Sequence, residues 1–346
     1  MMTLRSSIPH ILGLVLSIAA IGAAAAQTKS ALPTVLVIGT GGTIAGEQQE
    51  PGTLGSYEVK KSVNEIVDFV PEVKKYANVE TEQFANIRSP EITPEQWMNL
   101  ARRINEVVSE RPELSGIVVT HGTARLQETA FALNLMVKTD KPVVVTGAQR
   151  PSTGIGSDAP LNVLSAIRVA GAANARGKGV MVVMDDRVLA ARDTQKFYGR
   201  NGGFGTEEMG MLGAVTRGGI IFFYTPARRH TSQTEFDVSK IKVLPKVDIH
   251  YSYGGATGNA PGDAKAIVVA TTGFTTPERQ HYEALQKKGI IVATTFPSGR
   301  QVSNGGGDSA TIASQHLLPL QARILMMLAL TTTQDPKQIQ RIFDEY

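Results

Sequence analysis

Cysteine is missing from all 346 residues. Its absence excludes a disulfide framework, a thiolate zinc site, an iron–sulfur cluster and a cysteine nucleophile. Aromatic residues are scarce, at 6% of the chain. Charge of one sign is not concentrated: 35 Lys and Arg stand against 31 Asp and Glu, a net +4, with no basic block longer than a pair. Such scatter describes a solvated surface and argues against nucleic-acid binding. Histidines stand at 10, 121, 230, 250, 281 and 316, with no metal-ligand spacing, so no metal is expected. What remains, 42% hydrophobic and 19% charged, is an ordinary soluble globular composition. At this length a chain has room for two domains and removes roughly 75% of its unfolded surface from water.

Long apolar runs are confined to the N-terminus. Arg5 supplies a positive start, Ile11 to Ile21 an apolar stretch too short to span a bilayer comfortably, and Ala24-Ala25-Ala26 a cleavage signal before Gln27. Residues 1–26 are therefore expected to be a cleaved secretory signal peptide, with a periplasmic mature protein and no membrane contact after cleavage. The mature chain then keeps 320 residues and, without Arg5, a net +3.

Beyond it, short β-branched runs alternate with amphipathic stretches. Thr34–Ile38, Gly116–Thr120, Pro142–Thr146 and Val180–Met184 read as buried strands, as expected for a parallel sheet covered on both faces. Helices are predicted over Pro94–Val108, with Thr93 as N-cap and Pro94 at the first helical position, over Glu128–Met136 and over Pro160–Ala170. This alternation argues for a doubly wound α/β domain. Thr225 to Ser239 is polar and lacks an apolar period, which suggests a linker. A second, smaller βα set follows, with strands at Ile267–Ala270 and Ile290–Ala293 and helices at Pro277–Lys288 and Gln321–Leu330. The fold expected is α/β, with a larger flavodoxin-like N-terminal domain (27–224, mostly parallel sheet), a linker (225–245) and a smaller α/β C-terminal domain (246–346).

In open α/β sheets ligands sit beyond the carboxyl ends of the strands, and here hydroxyls and glycines recur at those ends: Gly39–Gly46, Thr120–Thr123 and Thr146–Arg150. The first loop is not a nucleotide cradle. A Rossmann pattern from Gly39 meets Ile44 where it needs glycine, and a P-loop from Gly41 meets Glu47 where it needs lysine. Neither H-E-x-x-H nor G-x-S-x-G occurs, and His121 reads as a structural residue at a strand end. The nucleophile candidates that remain are threonines, which need a neighbouring base; a lysine held neutral by burial can serve.

Thr40-Gly-Gly-Thr-Ile-Ala-Gly46 together with Val119-Thr-His-Gly-Thr123 resembles the two signatures of the bacterial-type L-asparaginases, and more closely the exported type II asparaginase/glutaminase-asparaginase group. Lys141–Ser152, Val188–Lys196 with Arg192-Asp193, Thr225–Thr231, Phe236–Lys240 and Asp335–Phe343 agree as well, so the resemblance covers the whole mature chain. It implies a cofactor-free hydrolase that turns a side-chain carboxamide into a carboxylate and ammonia through a threonine acyl-enzyme. It implies Thr43 as nucleophile, Tyr57 as the residue orienting it, Thr123 as the second catalytic threonine and Lys196 as its activator. For substrate binding it implies Ser89 at the α-carboxylate, the position of Ala124, the Ala148 backbone lining the amide pocket, and Thr276 from a neighbouring subunit. A homotetramer with shared sites and a small-molecule amide as partner are further implications.

The chain departs from that pattern where the family reads His-Gly-Thr-Asp-Thr and this sequence reads His121-Gly-Thr-Ala-Arg125. The missing aspartate normally completes a threonine–lysine–aspartate set and binds the substrate α-ammonium. Pro90 stands where Gln or Glu usually follows the serine, Thr276 where an asparagine from the neighbour is usual, and the neighbour's acidic residue has no clear match between Ser298 and Asp308. Alanine and proline side chains accept no hydrogen bond from an ammonium, and each lost charge-assisted contact is worth about 1.5–3 kcal/mol. Three readings follow: an asparaginase that recruits its carboxylate elsewhere, an amidohydrolase for an amide without a free α-ammonium, and a catalytically silent binding protein.

Overall fold

Along β1 (Thr34–Gly41) successive side chains point to opposite faces of a sheet. Leu36 and Ile38 join one apolar cluster, Val35 and Val37 another. Both faces are therefore buried, as the uninterrupted apolar run requires. The computed structural model describes residues 31–50, 52, 57–299 and 310–346. The expected signal peptide lies outside the described residues.

The larger sheet comprises β1, β2 (Asn78–Ile87), β3 (Leu114–Thr120), β4 (Val143–Thr146), β5 (Val180–Met184), β6 (Arg187–Ala190), β7 (Gly213–Thr216) and β8 (Gly219–Phe222). Their spatial order is 8-7-6-5-4-3-1-2. The five strands 2-1-3-4-5 are parallel, in the flavodoxin-like order. The last three strands extend the sheet antiparallel. Asp185 and Asp186, both at positive φ, make the two-residue turn between β5 and β6. Four helices belong to this part: α1 (Val63–Asp68), α2 (Pro94–Glu110), α3 (Leu126–Met136) and α4 (Ala159–Ala170). Apolar residues of α2 and α3 pack in the cluster of Leu36 and Ile38, those of α1 and α4 in that of Val35 and Val37. Thr93 caps α2 in a reciprocal box with Gln96, and Pro94 occupies the first turn, as predicted.

The smaller sheet is wholly parallel, in the order β9 (Val247–Tyr251), β10 (Ala266–Ala270), β11 (Ile291–Thr295), β12 (Ile312–Ala313). It carries α5 (Thr276–Lys287), α6 (Pro319–Ala329) and α7 (Pro336–Glu345). Every residue of α3 is buried. α3 packs on α6, and one apolar cluster runs from β1 through α3 and α6 to Ala266 and Val268. The stretch expected as a linker is irregular apart from a short turn at Thr231–Gln233. It is tied down rather than free: Phe236 and Val238 enter the core. Arg102 donates to the carbonyls of Val238 and Ile241, and the Glu235 N–H donates to the Tyr346 hydroxyl.

Candidate active site

The order 2-1-3 places the switch of winding direction at β1 and β3, where a doubly wound sheet opens its crevice. Both signature loops leave from there. They touch backbone to backbone: a Cβ on Gly42 (φ +82°) would lie 2.1 Å from Gly122 Cα, and one on Gly122 would lie 2.2 Å from Ser89 Cβ. Glycine alone permits this approach. The Thr40 hydroxyl ties the two strand ends by donating to the Thr120 carbonyl at 2.9 Å.

The structure brings most of the expected residues together. Thr43 opens a short 3-10 turn, is 8% exposed, and its Oγ1 stands 2.7 Å from the Tyr57 hydroxyl. Thr123, 5% exposed, receives the Lys196 Nζ at 2.7 Å. Lys196 lies on a two-residue ribbon, Gln195–Lys196, paired with Phe204–Gly205. Its backbone N–H donates to Gln127 Oε1 at 2.7 Å, so the buried helix α3 sets its position. Burial pushes the Lys196 amine below its ordinary 10.5, and no charge counters that. Among the described residues no carboxylate hydrogen-bonds to Thr123 or Lys196. Ala124 is exposed. Arg125 and Glu128, which follow it, pair with each other at 3.0 Å.

Ser89 is committed within the loop. Its hydroxyl donates to the Gly122 carbonyl at 2.6 Å and accepts from the Arg125 N–H at 3.0 Å. Ala148 is fully buried. Its turn is held by Asp158, which accepts from the Gln149 and Arg150 N–H groups, and by Asn162, which donates to the Gly147 carbonyl. Thr276 is not part of this cluster within the chain. It is exposed at the first turn of α5, behind the Thr275–Glu278 capping box. The segment Ser298–Asp308 is described only to Gly299.

His121 is structural, as expected. Trp97 Nε1 donates to Thr129 Oγ1 (3.0 Å), Thr129 Oγ1 lies 3.0 Å from His121 Nε2, and His121 Nδ1 lies 2.8 Å from the Gly122 carbonyl. These distances fit one chain of donors, with the ring proton on Nδ1. Burial pulls the ring's pKa down to about 4.

One polar residue at the site was not singled out from the sequence. Gln149 follows Ala148 at the end of β4, with its Oε1 3.4 Å from Thr123 Oγ1 and its Nε2 buried without a partner. The signal that could have found it is the one that found the threonines, a polar side chain just past a buried strand. Two cavities, of about 280 and 240 Å³, flank Arg192, Asp193 and His316, and neither is lined by Thr43, Thr123 or Lys196. Among the described residues no group of three or more His, Cys, Asp or Glu could hold a metal ion.

Comparison with known proteins agrees with the geometry. Residues 34–228 match the family described as Asparaginase, N-terminal, and residues 246–343 the Glutaminase/Asparaginase C-terminal domain. The chain is 40% identical to L-asparaginase 2 of Bacillus subtilis (strain 168) over 339 residues, covering 94% of this chain and 90% of the relative. It is 38% identical to the glutaminase-asparaginase of Pseudomonas fluorescens biotype A, covering 99% of both. A crystal structure of a probable cytoplasmic L-asparaginase from Campylobacter jejuni superposes with a TM-score of 0.84 at 36% identity, covering 91% of this chain and all of that one. With two signature loops meeting at the sheet's switch point and matches spanning both halves, the chain belongs to the glutaminase/asparaginase family.

Proposed function

We propose that the protein is an amidohydrolase that converts L-asparagine, and with it L-glutamine, to the acid and ammonia through a threonine ester. The observation that carries this reading is the Lys196 amine 2.7 Å from the Thr123 hydroxyl, with its pKa lowered by burial. An amine in that setting is a proton acceptor, which a threonine hydroxyl needs. Thr43 Oγ1 bonds to the carboxamide carbon. The tetrahedral intermediate collapses, the C–N bond breaks, and the proton from Thr43 leaves on the nitrogen as ammonia. The Thr123–Lys196 pair then takes a proton from water as its oxygen bonds to the acyl carbon, and that proton returns to Thr43. Tyr57 orients the Thr43 hydroxyl. Ser89 can turn its proton from the Gly122 carbonyl to a substrate carboxylate, and the Ala148 turn lines the amide pocket.

A second reading has its own observation. With Ala124 in place of a carboxylate, and no carboxylate bonded to Thr123 or Lys196 among the described residues, an amide whose α-nitrogen is blocked is favoured. Ammonia release from L-asparagine, L-glutamine and an α-N-acylated asparagine separates the two. Robust turnover of free asparagine supports the first and excludes the second; turnover of the blocked amide alone reverses that. Release from none of the three sinks both and leaves a binding protein.

Residues 27–224 and 246–346 form the two functional halves of this proposal, joined by 225–245. The enzyme acts in the periplasm after loss of residues 1–26. It assembles as a homotetramer in which the exposed Thr276 faces a neighbour's site.

A further inference from the structure

Gln149 is held in an unusual state. Two backbone N–H groups, its own and that of Arg150, donate to Asp158, so the turn that carries it is fixed. Its side chain nevertheless makes one long contact, 3.4 Å from Oε1 to Thr123 Oγ1, and its amide nitrogen is buried with no acceptor. A buried donor without a partner costs about 1–3 kcal/mol, and such groups call for an explanation. The hydroxyl that its Oε1 faces is the one that Lys196 contacts, so the unmet donor belongs to a side chain that borders the Thr123–Lys196 pair.

We propose that Gln149 is a substrate-contacting residue whose amide nitrogen donates to the oxygen of the scissile carboxamide. This rests on the amidohydrolase reading above. That oxygen gains charge in the tetrahedral intermediate, and a donor pre-placed in a dry site stabilises it most there. The unsatisfied N–H in the free enzyme becomes satisfied on substrate binding, and more strongly so in the transition state. A side chain retained for packing alone would not need the amide.

Three substitutions at one position test this. Gln149→Met keeps the length and removes the donor. Gln149→Glu keeps the shape and replaces the donor with a carboxylate, which repels an oxyanion. The expected order of kcat/KM is wild type, then Gln149→Met lower by about 10- to 1,000-fold, then Gln149→Glu lower still, with the loss carried mainly by kcat. Gln149→Met should also match or exceed the wild type in Tm, because a buried unpaired group is gone. Gln149→Asn, too short to reach, should behave as Gln149→Met in activity. Equal kcat/KM for wild type and Gln149→Met overturns the proposal. So does a Gln149→Glu enzyme better than wild type, which would make Gln149 an acceptor for a substrate cation. If the wild type releases ammonia from no amide, the functional reading has failed; if the wild type turns over and only this order fails, the assignment of Gln149 alone falls.

Discussion

The effect of Ala124→Asp follows from what surrounds Lys196. Its amine is half-buried, bonded to Thr123, and lowered in pKa by desolvation with no opposing charge. An aspartate one residue past Thr123 adds a carboxylate beside this pair. Two unit charges about 4 Å apart attract by about 1 kcal/mol in bulk water and about 4 kcal/mol at an effective dielectric of 20. An opposite charge that close favours the ammonium, so the amine's pKa rises. The sign of the kinetic change is then fixed. Lys196 accepts a proton only when neutral, so activity is lost as pH falls through its pKa. The acid limb of kcat/KM, which reports the free enzyme, moves to higher pH with it. Below about pH 8, where the substrate α-amine stays protonated, a free α-ammonium gains a charge-assisted contact worth about 1.5–3 kcal/mol, so the kcat/KM of asparagine relative to that of an α-N-acylated amide rises roughly 10- to 150-fold. The assay is ammonia release from both substrates between about pH 6 and 11. A limb that stays in place or moves to lower pH refutes Lys196 as the titrating base. A loss of asparagine turnover at every pH shows instead that the pocket is built around a different carboxylate.

Tyr57→Phe removes the 2.7 Å contact with Thr43 and should lower kcat about 10- to 100-fold with little change in Tm; steady-state kinetics beside a thermal melt will check it. Gly122→Ala places a methyl 2.2 Å from Ser89 Cβ and 2.9 Å from Ser89 Cα and should cost at least about 1–3 kcal/mol of stability by denaturant titration, since Ser89 can yield only by shifting its backbone. The His121 ring stays neutral in the fold until about pH 4, whereas it protonates near 6.5 when unfolded. Its contribution to stability is therefore neutral above pH 6.5 and turns unfavourable as pH falls toward 4, reaching about 3 kcal/mol. By NMR its ring resonance should not titrate between pH 8 and 5; a midpoint near 6.5 would refute the buried donor chain.

What could be read from the sequence and what could not divides along one physical line. Strands buried on both faces announce themselves as unbroken apolar runs, so β3, β4 and β5 are legible to within two residues, and β1 runs three residues past Ile38 into the glycines of the first loop. β2 is not legible: it lies at the sheet edge, and Asn78–Ile87 mixes Glu80, Glu82 and Gln83 with its apolar residues because much of it meets solvent. The antiparallel strands β7 and β8 were missed for the same reason, their residues being only partly covered. The polar stretch after Tyr224 read as a linker because a few buried contacts, Phe236 and Val238 among them, hold it without imposing a period. The site follows a similar rule. Threonines and glycines at strand ends stood out because hydroxyls and missing side chains are unusual after apolar runs, and they do converge at the switch between β1 and β3. Ser89 was picked out by resemblance, yet its proton is already given to Gly122, a commitment that only three-dimensional packing reveals. Gln149 escaped notice because its meaning is a deficit: a buried nitrogen with nothing to donate to leaves no mark in composition or spacing. Ala124 and Gln149 therefore describe the same pocket from two sides. Among the described residues no carboxylate bonds to Thr123, and the Gln149 Oε1 stands 3.4 Å from its hydroxyl instead; the α-ammonium end of a substrate loses an acceptor, while the donor proposed for Gln149 serves the scissile amide at the other end.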